Sequence, residues 1–272
     1  MLFGIIVCIA LIVAAWILLQ PRFVAMRRKR IRGRPFPAAW RAILRERVPY
    51  VRLLPADLRQ QLEKHIQVFV AEKDFIGCDG LAITEEMRVT IAAQACLLLL
   101  NRPGHYYPRL SQILVYPAPF IVHRQTNAGI GLLQEESCVH TGESWAHGQV
   151  VLSWPDVLEG AAIPDDGRNV VIHEFAHQLD QEKGYANGAP DLAEFQRYPR
   201  WSRVFGQEYG ALQERLRNQE ASVLDPYAAT NPAEFFAVSS EVFFEQPQRM
   251  AAEHPALYVE LSRFYRIDPL SW

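Results

Sequence analysis

The sequence His173-Glu174-Phe175-Ala176-His177 lies inside a largely apolar stretch, about residues 168–181, whose spacing predicts one helix. Residues four apart share a helix face, so both imidazoles can reach one cation at about 2.0–2.1 Å. Glu174 points about 100° around the helix and can reach a water molecule on the open side of that cation. The motif therefore predicts a site for one Zn²⁺ per chain, with His173 and His177 as ligands and Glu174 as general base.

A catalytic zinc site of this type needs a third protein ligand, and candidates occur between residues 227 and 241. Asn231 is expected to cap a helix that begins at Pro232. Glu234 and Glu241 are seven residues apart and share one face of that helix. Glu234 also occupies the capping-box position, so periodicity alone does not separate a ligand from a cap. Glu241 could equally be a solvated carboxylate, and the two histidines could be core or surface residues that bind no metal.

The rest of the body alternates helical patterns with short β-rich runs. Helices are predicted at residues 55–73, 84–100 with Thr84 as N-cap, 201–218, 232–245 and 255–266. Strands are predicted at residues 113–116, 120–122 and 150–154. This order predicts one α+β catalytic domain over residues 38–272, mainly helical with a small mixed sheet.

The N-terminal fifty residues have a different character. Residues 2–19 are apolar and uncharged, and at about 1.5 Å per residue they form a helix of about 27 Å, enough to cross a thin hydrocarbon core. Residues 21–50 contain ten Lys or Arg and one acid, although the whole chain carries a net charge of −2. Such a basic segment stays on the cytoplasmic side of a membrane. We therefore predict a transmembrane anchor at residues 1–20 and a basic linker at residues 21–37.

The corresponding location is the inner (cytoplasmic) membrane, crossed once, with the catalytic domain in the cytoplasm. The alternatives are a cleaved signal peptide and a cytoplasmic protein, but no basic residue precedes the apolar stretch, as a signal peptide would require. The four cysteines form no Cys-x-x-Cys pair, which agrees with a reducing compartment. The basic charge does not recur downstream, so no nucleic-acid partner is predicted.

Two segments together resemble a known family. Residues 173–180, His-Glu-Phe-Ala-His-Gln-Leu-Asp, and residues 226–237, Pro-Tyr-Ala-Ala-Thr-Asn-Pro-Ala-Glu-Phe-Phe-Ala, resemble the bacterial Mlc titration factor A metallopeptidases. That family is related in its catalytic core to the anthrax lethal factor protease. The similarity extends from about residue 55 onward and implies a zincin-like fold.

The resemblance also implies roles for individual residues. Glu234 would be the third zinc ligand, and Tyr227 would donate a hydrogen bond to the oxyanion formed on the attacked carbonyl. Tyr227 could otherwise be an ordinary loop tyrosine. Asp180 and Glu241 are candidates for carboxylates that orient a ligand imidazole, and each could instead face water.

The strand at residues 150–154 precedes the motif helix. In zincin-type folds such an edge strand pairs with extended peptide substrate through its free backbone groups. The resemblance therefore suggests a substrate-binding strand composed of Val150, Val151, Leu152, Ser153 and Trp154. The alternative is a plain core strand.

The predicted function is that of a membrane-tethered zinc peptidase that acts on a peptide or protein substrate, and the resemblance implies that this activity is aminopeptidase-like. The alternative is a regulatory protein that sequesters a transcriptional repressor, with incidental hydrolysis. The family's best-known members are soluble and bind such a repressor. The apolar start and basic arm are additional here, which puts the repressor partner in doubt more than the chemistry. The physiological substrate and the oligomeric state do not follow from the sequence.

Overall fold

The computed structural model describes residues 2–102, 106–128, 132–140, 142–145, 148–192 and 197–272, without the side chains of residues 120–145 and of most residues from 2 to 17. The helices in these ranges are α1 (Leu2–Arg32), α2 (Ala38–Arg47), α3 (Ala56–Glu72), α4 (Glu85–Leu97), α5 (Trp154–Ala162), α6 (Val170–Asp180), α7 (Tyr198–Arg217), α8 (Pro232–Glu245), α9 (Pro247–Glu253) and α10 (Pro255–Tyr265). The strands are β1 (Asp74–Gly77), β2 (Gln112–Tyr116), β3 (Phe120–Ala128), β4 (Leu132–His140), β5 (Gly142–Trp145) and β6 (Gln149–Ser153).

The six body helices predicted from periodicity are confirmed, with ends that differ by three residues at most. Local capping explains several of their starts. Thr84 Oγ1 accepts a hydrogen bond from Met87 N at 3.2 Å and begins α4. Pro232 occupies the first turn of α8, where its missing N–H costs nothing. The chain is therefore mainly helical, as expected.

The larger sheet has the strand order β1-β2-β6-β5. β1, β2 and β6 run parallel to one another, and β5 pairs antiparallel with β6. A small mixed sheet was predicted, and it is confirmed. β3 and β4 form a separate antiparallel pair. The strand β1 was missed because four residues, Asp-Phe-Ile-Gly, are too few to show a period.

The prediction of an edge strand at residues 150–154 is wrong. β6 pairs with β2 on one side and with β5 on the other, so its backbone groups already have partners within the sheet. The reason is local: β5, which ends four residues before β6 begins, pairs antiparallel with β6 and covers its edge. Val150, Leu152 and Ser153 are fully buried, and Trp154 begins α5. β6 is thus a core strand.

The core positions the motif helix α6. Phe175, between the two motif histidines, is fully buried and lies with its ring centroid 4.8 Å from Tyr107 and 5.6 Å from Phe69. Burial of one such aromatic ring contributes about 1.5–3 kcal/mol. Val171 and Leu179 are buried on the same helix. This apolar face anchors α6, so its other face can present polar side chains to a cleft.

The segment predicted as a basic linker is helical as far as Arg32 and packs against α3. Arg28 donates two hydrogen bonds to Glu72, from Nε at 2.9 Å and from Nη2 at 2.7 Å. Its guanidinium also lies 4.7 Å from the centre of the Tyr106 ring. Farther on, Phe36 is buried in the core. Residues 21–37 are therefore part of the folded body.

Among the described residues, no helix is both long enough and apolar enough to cross a membrane. The transmembrane anchor predicted at residues 1–20 is therefore not confirmed. Most of that segment lies outside the described side chains.

Candidate metal centre

Two helices carry the side chains of the predicted centre, and an asparagine begins each one. Asn169 Oδ1 accepts a hydrogen bond from Ile172 N at 2.9 Å at the start of α6. Asn231 Oδ1 accepts from Ala233 N at 2.9 Å and from Glu234 N at 3.1 Å at the start of α8. These caps satisfy backbone donors that would otherwise lack partners. They also define where along each helix the polar side chains project.

The side chains of His173, His177 and Glu234 converge on one point. Glu234 Oε2 lies 3.0 Å from His173 Nε2 and 3.2 Å from His177 Nε2. One potential ligand atom from each residue lies within 4.8 Å of the others. Donors bound tetrahedrally to zinc at about 2.0–2.2 Å stand roughly 3.3 Å apart, so both the residue types and their separations fit a zinc ion.

Glu234 does not adopt the capping-box arrangement that the sequence left open. Its carboxylate faces the two imidazoles, and no hydrogen bond to Asn231 N occurs among the described contacts. Asn231 alone caps α8. The close packing of α6 against α8 explains this choice, since it places the first turn of α8 opposite the motif histidines.

Glu241 lies on the other nitrogen of His173. Its Oε1 is 2.8 Å from His173 Nδ1, and its Oε2 accepts a hydrogen bond from Asn169 N at 2.5 Å. The side chain is buried and does not face water. A carboxylate in this position sets the orientation and tautomer of an imidazole ligand.

The carboxylates and imidazoles shift one another's protonation. Burial by itself lowers the pKa of His173, but the charges and hydrogen bonds of Glu241 and Glu234 outweigh burial and hold that pKa well above its usual value. Burial by itself raises the pKa of Glu234, yet hydrogen bonds from both histidines bring it well below its usual value. Glu234 is therefore ionised at neutral pH, as a metal ligand must be.

Glu174 and Tyr227 lie on the same cleft as the three converging residues. The cleft has a volume of about 940 Å³ and is lined by all five of these side chains. Glu174 is only 4% exposed, whereas Tyr227 is 44% exposed. The Tyr227 ring lies 6.1 Å from the His173 ring, centre to centre, and Asp225 Oδ1 accepts a hydrogen bond from Tyr227 N at 2.9 Å. The carboxylate of Glu174 and the phenol of Tyr227 thus lie in the same cleft as the three converging side chains.

Asp180 has neither of the roles expected of it. Its buried Oδ2 accepts hydrogen bonds from Asn187 N at 2.8 Å and Gly188 N at 2.7 Å, which ties down the loop after α6. Among the described residues, neither its Oδ1 nor His177 Nδ1 has a hydrogen-bond partner. Burial raises the pKa of Asp180, against those backbone hydrogen bonds. Asp180 therefore holds the loop whose Asn187 lines the cleft.

Two residues behind the centre were not predicted. Asn169 Nδ2 donates to Gly160 O at 2.9 Å and to Glu245 Oε1 at 3.0 Å. Burial raises the pKa of Glu245 to about 9; the hydrogen bond from Asn169 opposes this shift and the charge of Glu241 adds to it. Glu245 follows Glu241 by four residues on α8, so helical spacing was the available signal. Asn169 could not be predicted in the same way, because its contact with Gly160 O depends on the packing of α5 on α6.

The chain matches the glucose-regulated metallo-peptidase M90 family over residues 23–266. It is 43% identical over 268 residues to an uncharacterised protein of Synechocystis sp., which covers 98% of each chain. It is 34% identical over 227 residues to Mlc titration factor A of Klebsiella pneumoniae, covering 82% of this chain and 84% of that relative. The identity to Mlc titration factor A of Yersinia pestis is 33% over 237 residues, or 86% of each chain. This chain therefore belongs to the M90 metallopeptidase family, the family of Mlc titration factor A.

Proposed function

We propose that the chain is a zinc-dependent peptidase whose metal is held by His173, His177 and Glu234. The observation that carries this proposal is the approach of two imidazole Nε2 atoms to one oxygen of Glu234, at 3.0 and 3.2 Å. Two histidines and a glutamate are a known ligand set of catalytic zinc, which keeps a further position for water or substrate. Membership of a metallopeptidase family supports the same function.

The protein's own residues supply proton transfer and charge stabilisation in this proposal. When bound, zinc supplies Lewis acidity, which polarises the substrate carbonyl and lowers the pKa of a water molecule. Glu174 accepts a proton from the attacking water and passes it to the leaving amine. Tyr227 donates its O–H to the carbonyl oxygen as that oxygen gains negative charge. Glu241 accepts from Nδ1–H of His173 and so leaves Nε2 unprotonated for the metal.

The Glu174→Gln variant tests this mechanism because it removes the base and preserves side-chain size. We expect it to retain one zinc per chain and to lose about 10²–10⁴-fold in peptide hydrolysis. Metal content is measured by elemental analysis, and Glu214→Gln, an exposed change on α7, is the control. Undiminished hydrolysis in the variant, or in chelator-treated protein shown to be free of metal, contradicts the proposal.

The proposal includes a zincin-like catalytic fold and aminopeptidase-like cleavage. Both rest on the resemblance of the two motif segments, together with the mixed sheet next to α6. Peptides that differ only in an N-terminal acetyl group test the cleavage mode. Faster hydrolysis of the free-amine peptide is expected, and equal rates would point to internal cleavage.

A second candidate function is regulatory binding of a transcriptional repressor. It is favoured by the name of the relatives, Mlc titration factor A. In that case wild type and Glu174→Gln would capture the same repressor equally well, and a peptide library would show no turnover. Turnover that disappears in Glu174→Gln favours the peptidase.

We further propose that residues 1–20 anchor the chain in the inner membrane, with the catalytic body in the cytoplasm. In support, Phe3, Ile9 and Trp16 are each more than half exposed on α1. The wild type should remain in the membrane fraction after a high-salt or carbonate wash and dissolve in detergent. The double variant Ile9→Arg/Val13→Arg should be released from the membrane, because each arginine raises the free energy of membrane insertion by about 2.5–3.5 kcal/mol. Recovery of the wild type in the wash would overturn this proposal.

A further inference from the structure

A second cavity, of about 330 Å³, lies between α2, the 3₁₀ turn Pro49–Arg52 and α3. It shares no lining residue with the cleft at the metal centre. Ala38, Leu44 and Val51 form its apolar wall. Small-molecule sites typically have volumes of roughly 300–1,000 Å³ and walls of this kind, so the cavity is large enough for a small ligand.

Four arginines and one glutamate line the same cavity. Arg41 is neutralised by Glu63, with Nε–Oε1 at 3.0 Å and Nη2–Oε2 at 3.2 Å. The other three arginines, Arg45, Arg52 and Arg59, have no carboxylate partner among the described residues. The cavity therefore carries three uncompensated positive charges.

Two of these arginines are held in place by neutral acceptors. Arg52 Nη2 donates to Arg45 O at 2.9 Å, and Arg59 Nη2 donates to Leu54 O at 3.2 Å. A carbonyl acceptor orients a guanidinium group without cancelling its charge, and each guanidinium has five N–H donors in total. Both side chains thus retain donors for a further acceptor, and the positive charge of the cavity lining favours an anion there.

We propose that this cavity binds a small organic anion that carries a phosphate-ester group. The guanidinium fork matches the oxygens of phosphate in a bidentate manner. A phosphate monoester carries nearly two negative charges at neutral pH, so it compensates three arginines better than a single carboxylate does. The apolar wall formed by Leu44 and Val51 contacts the ester's organic part.

The small volume favours a compact ligand over a macromolecule, because nucleic acids are bound by extended basic stripes. A phosphate ester can come from a soluble metabolite or from a phospholipid headgroup. The two sources share the chemistry that the arginines recognise, and the experiment separates them by the organic part that each carries.

The test is titration calorimetry of the full chain in a nonionic detergent, with phenyl phosphate as the probe. We expect phenyl phosphate to bind at one site at least tenfold more tightly than inorganic phosphate, and phenyl glucoside not to bind. Dihexanoyl phosphatidic acid is the lipid arm. Tighter binding of this lipid than of phenyl phosphate identifies a headgroup as the natural source, and weaker binding identifies a soluble ester.

Arginine variants separate this cavity from the metal centre, which could itself attract phosphate. Arg45→Gln and Arg52→Gln should each weaken phenyl phosphate binding at least tenfold, while Arg203→Gln, an exposed change on α7, should leave it unaltered. The Arg45 side chain is exposed and has no hydrogen bond among the described contacts, so we expect its replacement to leave the fold intact. Absence of binding, or equal binding by the Arg45 and Arg203 variants, overturns the proposal.

Discussion

His173 has a carboxylate facing each of its ring nitrogens, and the proposed metal centre is built on this pair of contacts. Glu234 approaches Nε2 at 3.0 Å and Glu241 approaches Nδ1 at 2.8 Å. The two carboxylates are chemically identical, so only their positions on α8 distinguish the proposed ligand, Glu234, from the proposed supporting group, Glu241. Variants of single residues can therefore test metal binding, proton transfer and charge stabilisation separately.

Glu241→Gln should weaken zinc binding about 10–100-fold, because the amide no longer accepts strongly from Nδ1–H of His173. Competition with a chromogenic chelator measures the affinity. The Glu214→Gln control should bind zinc as the wild type does. Unaltered affinity in the Glu241 variant would show that His173 is oriented by packing alone.

Tyr227→Phe should lower kcat by about 10²–10³-fold with little change in KM, because the lost O–H acts on charge that develops only during the reaction. Steady-state kinetics on a single peptide measures both constants. A rise in KM at constant kcat would assign Tyr227 to substrate binding.

At the scale of elements, the loop after α6 packs against the start of α8. Asp180 Oδ2 accepts a hydrogen bond from Gly188 N at 2.7 Å, and Trp201 Nε1 donates one to Gly188 O at 2.9 Å. Gly188 has φ of 77°, and a Cβ there would lie 2.3 Å from Pro232 O, at the start of α8. The loop backbone therefore packs directly on the helix that carries Glu234.

Gly188→Ala should destabilise the protein by at least about 1–2 kcal/mol, since alanine disfavours the left-handed conformation and its Cβ would collide with backbone. Gly184→Ala is the matched control, because no atom lies within 4 Å of its added Cβ. Urea unfolding measures both variants. Equal free energies of unfolding for the two variants would show that α8 can move away from the added Cβ without loss of stability.

At the scale of the whole molecule, α3 joins the N-terminal helix to the body. His65 on α3 is buried, and its Nδ1 lies 2.8 Å from the Tyr106 hydroxyl. The Tyr106 ring in turn contacts Arg28 of α1. This interface contains a buried neutral histidine, and protonation of that histidine opposes folding.

Burial, with a smaller effect of Arg32, lowers the pKa of His65 to about 4 from 6.5. As the pH falls, His65 in the unfolded chain is therefore protonated near pH 6.5, whereas His65 in the folded chain is protonated only near pH 4. His65 should thus reduce the free energy of unfolding as pH falls through this window, by on the order of 3 kcal/mol. His65→Gln should remove that part of the slope, as urea unfolding at several pH values would show. Parallel slopes for wild type and variant would contradict the assignment.

Short-range patterns in the sequence determined most of the elements and two of the three converging residues. The six body helices follow from apolar spacing and caps, and His173, Glu174 and His177 follow from one helical repeat. These features depend on residues a few positions apart, so no tertiary information is needed. The assignment of Glu234 came from family resemblance and not from spacing.

The tertiary structure decided the features that depend on distant segments. Packing of α6 on α8 directed Glu234 to both imidazoles and Glu241 to the far nitrogen of His173. Pairing with β2 and β5 made β6 a core strand, although its sequence alone suits an edge equally well. Asp180 accepts hydrogen bonds from the loop after α6 instead of orienting a ligand imidazole. Periodicity gives the face on which a side chain lies, but only the neighbouring element determines what that face meets.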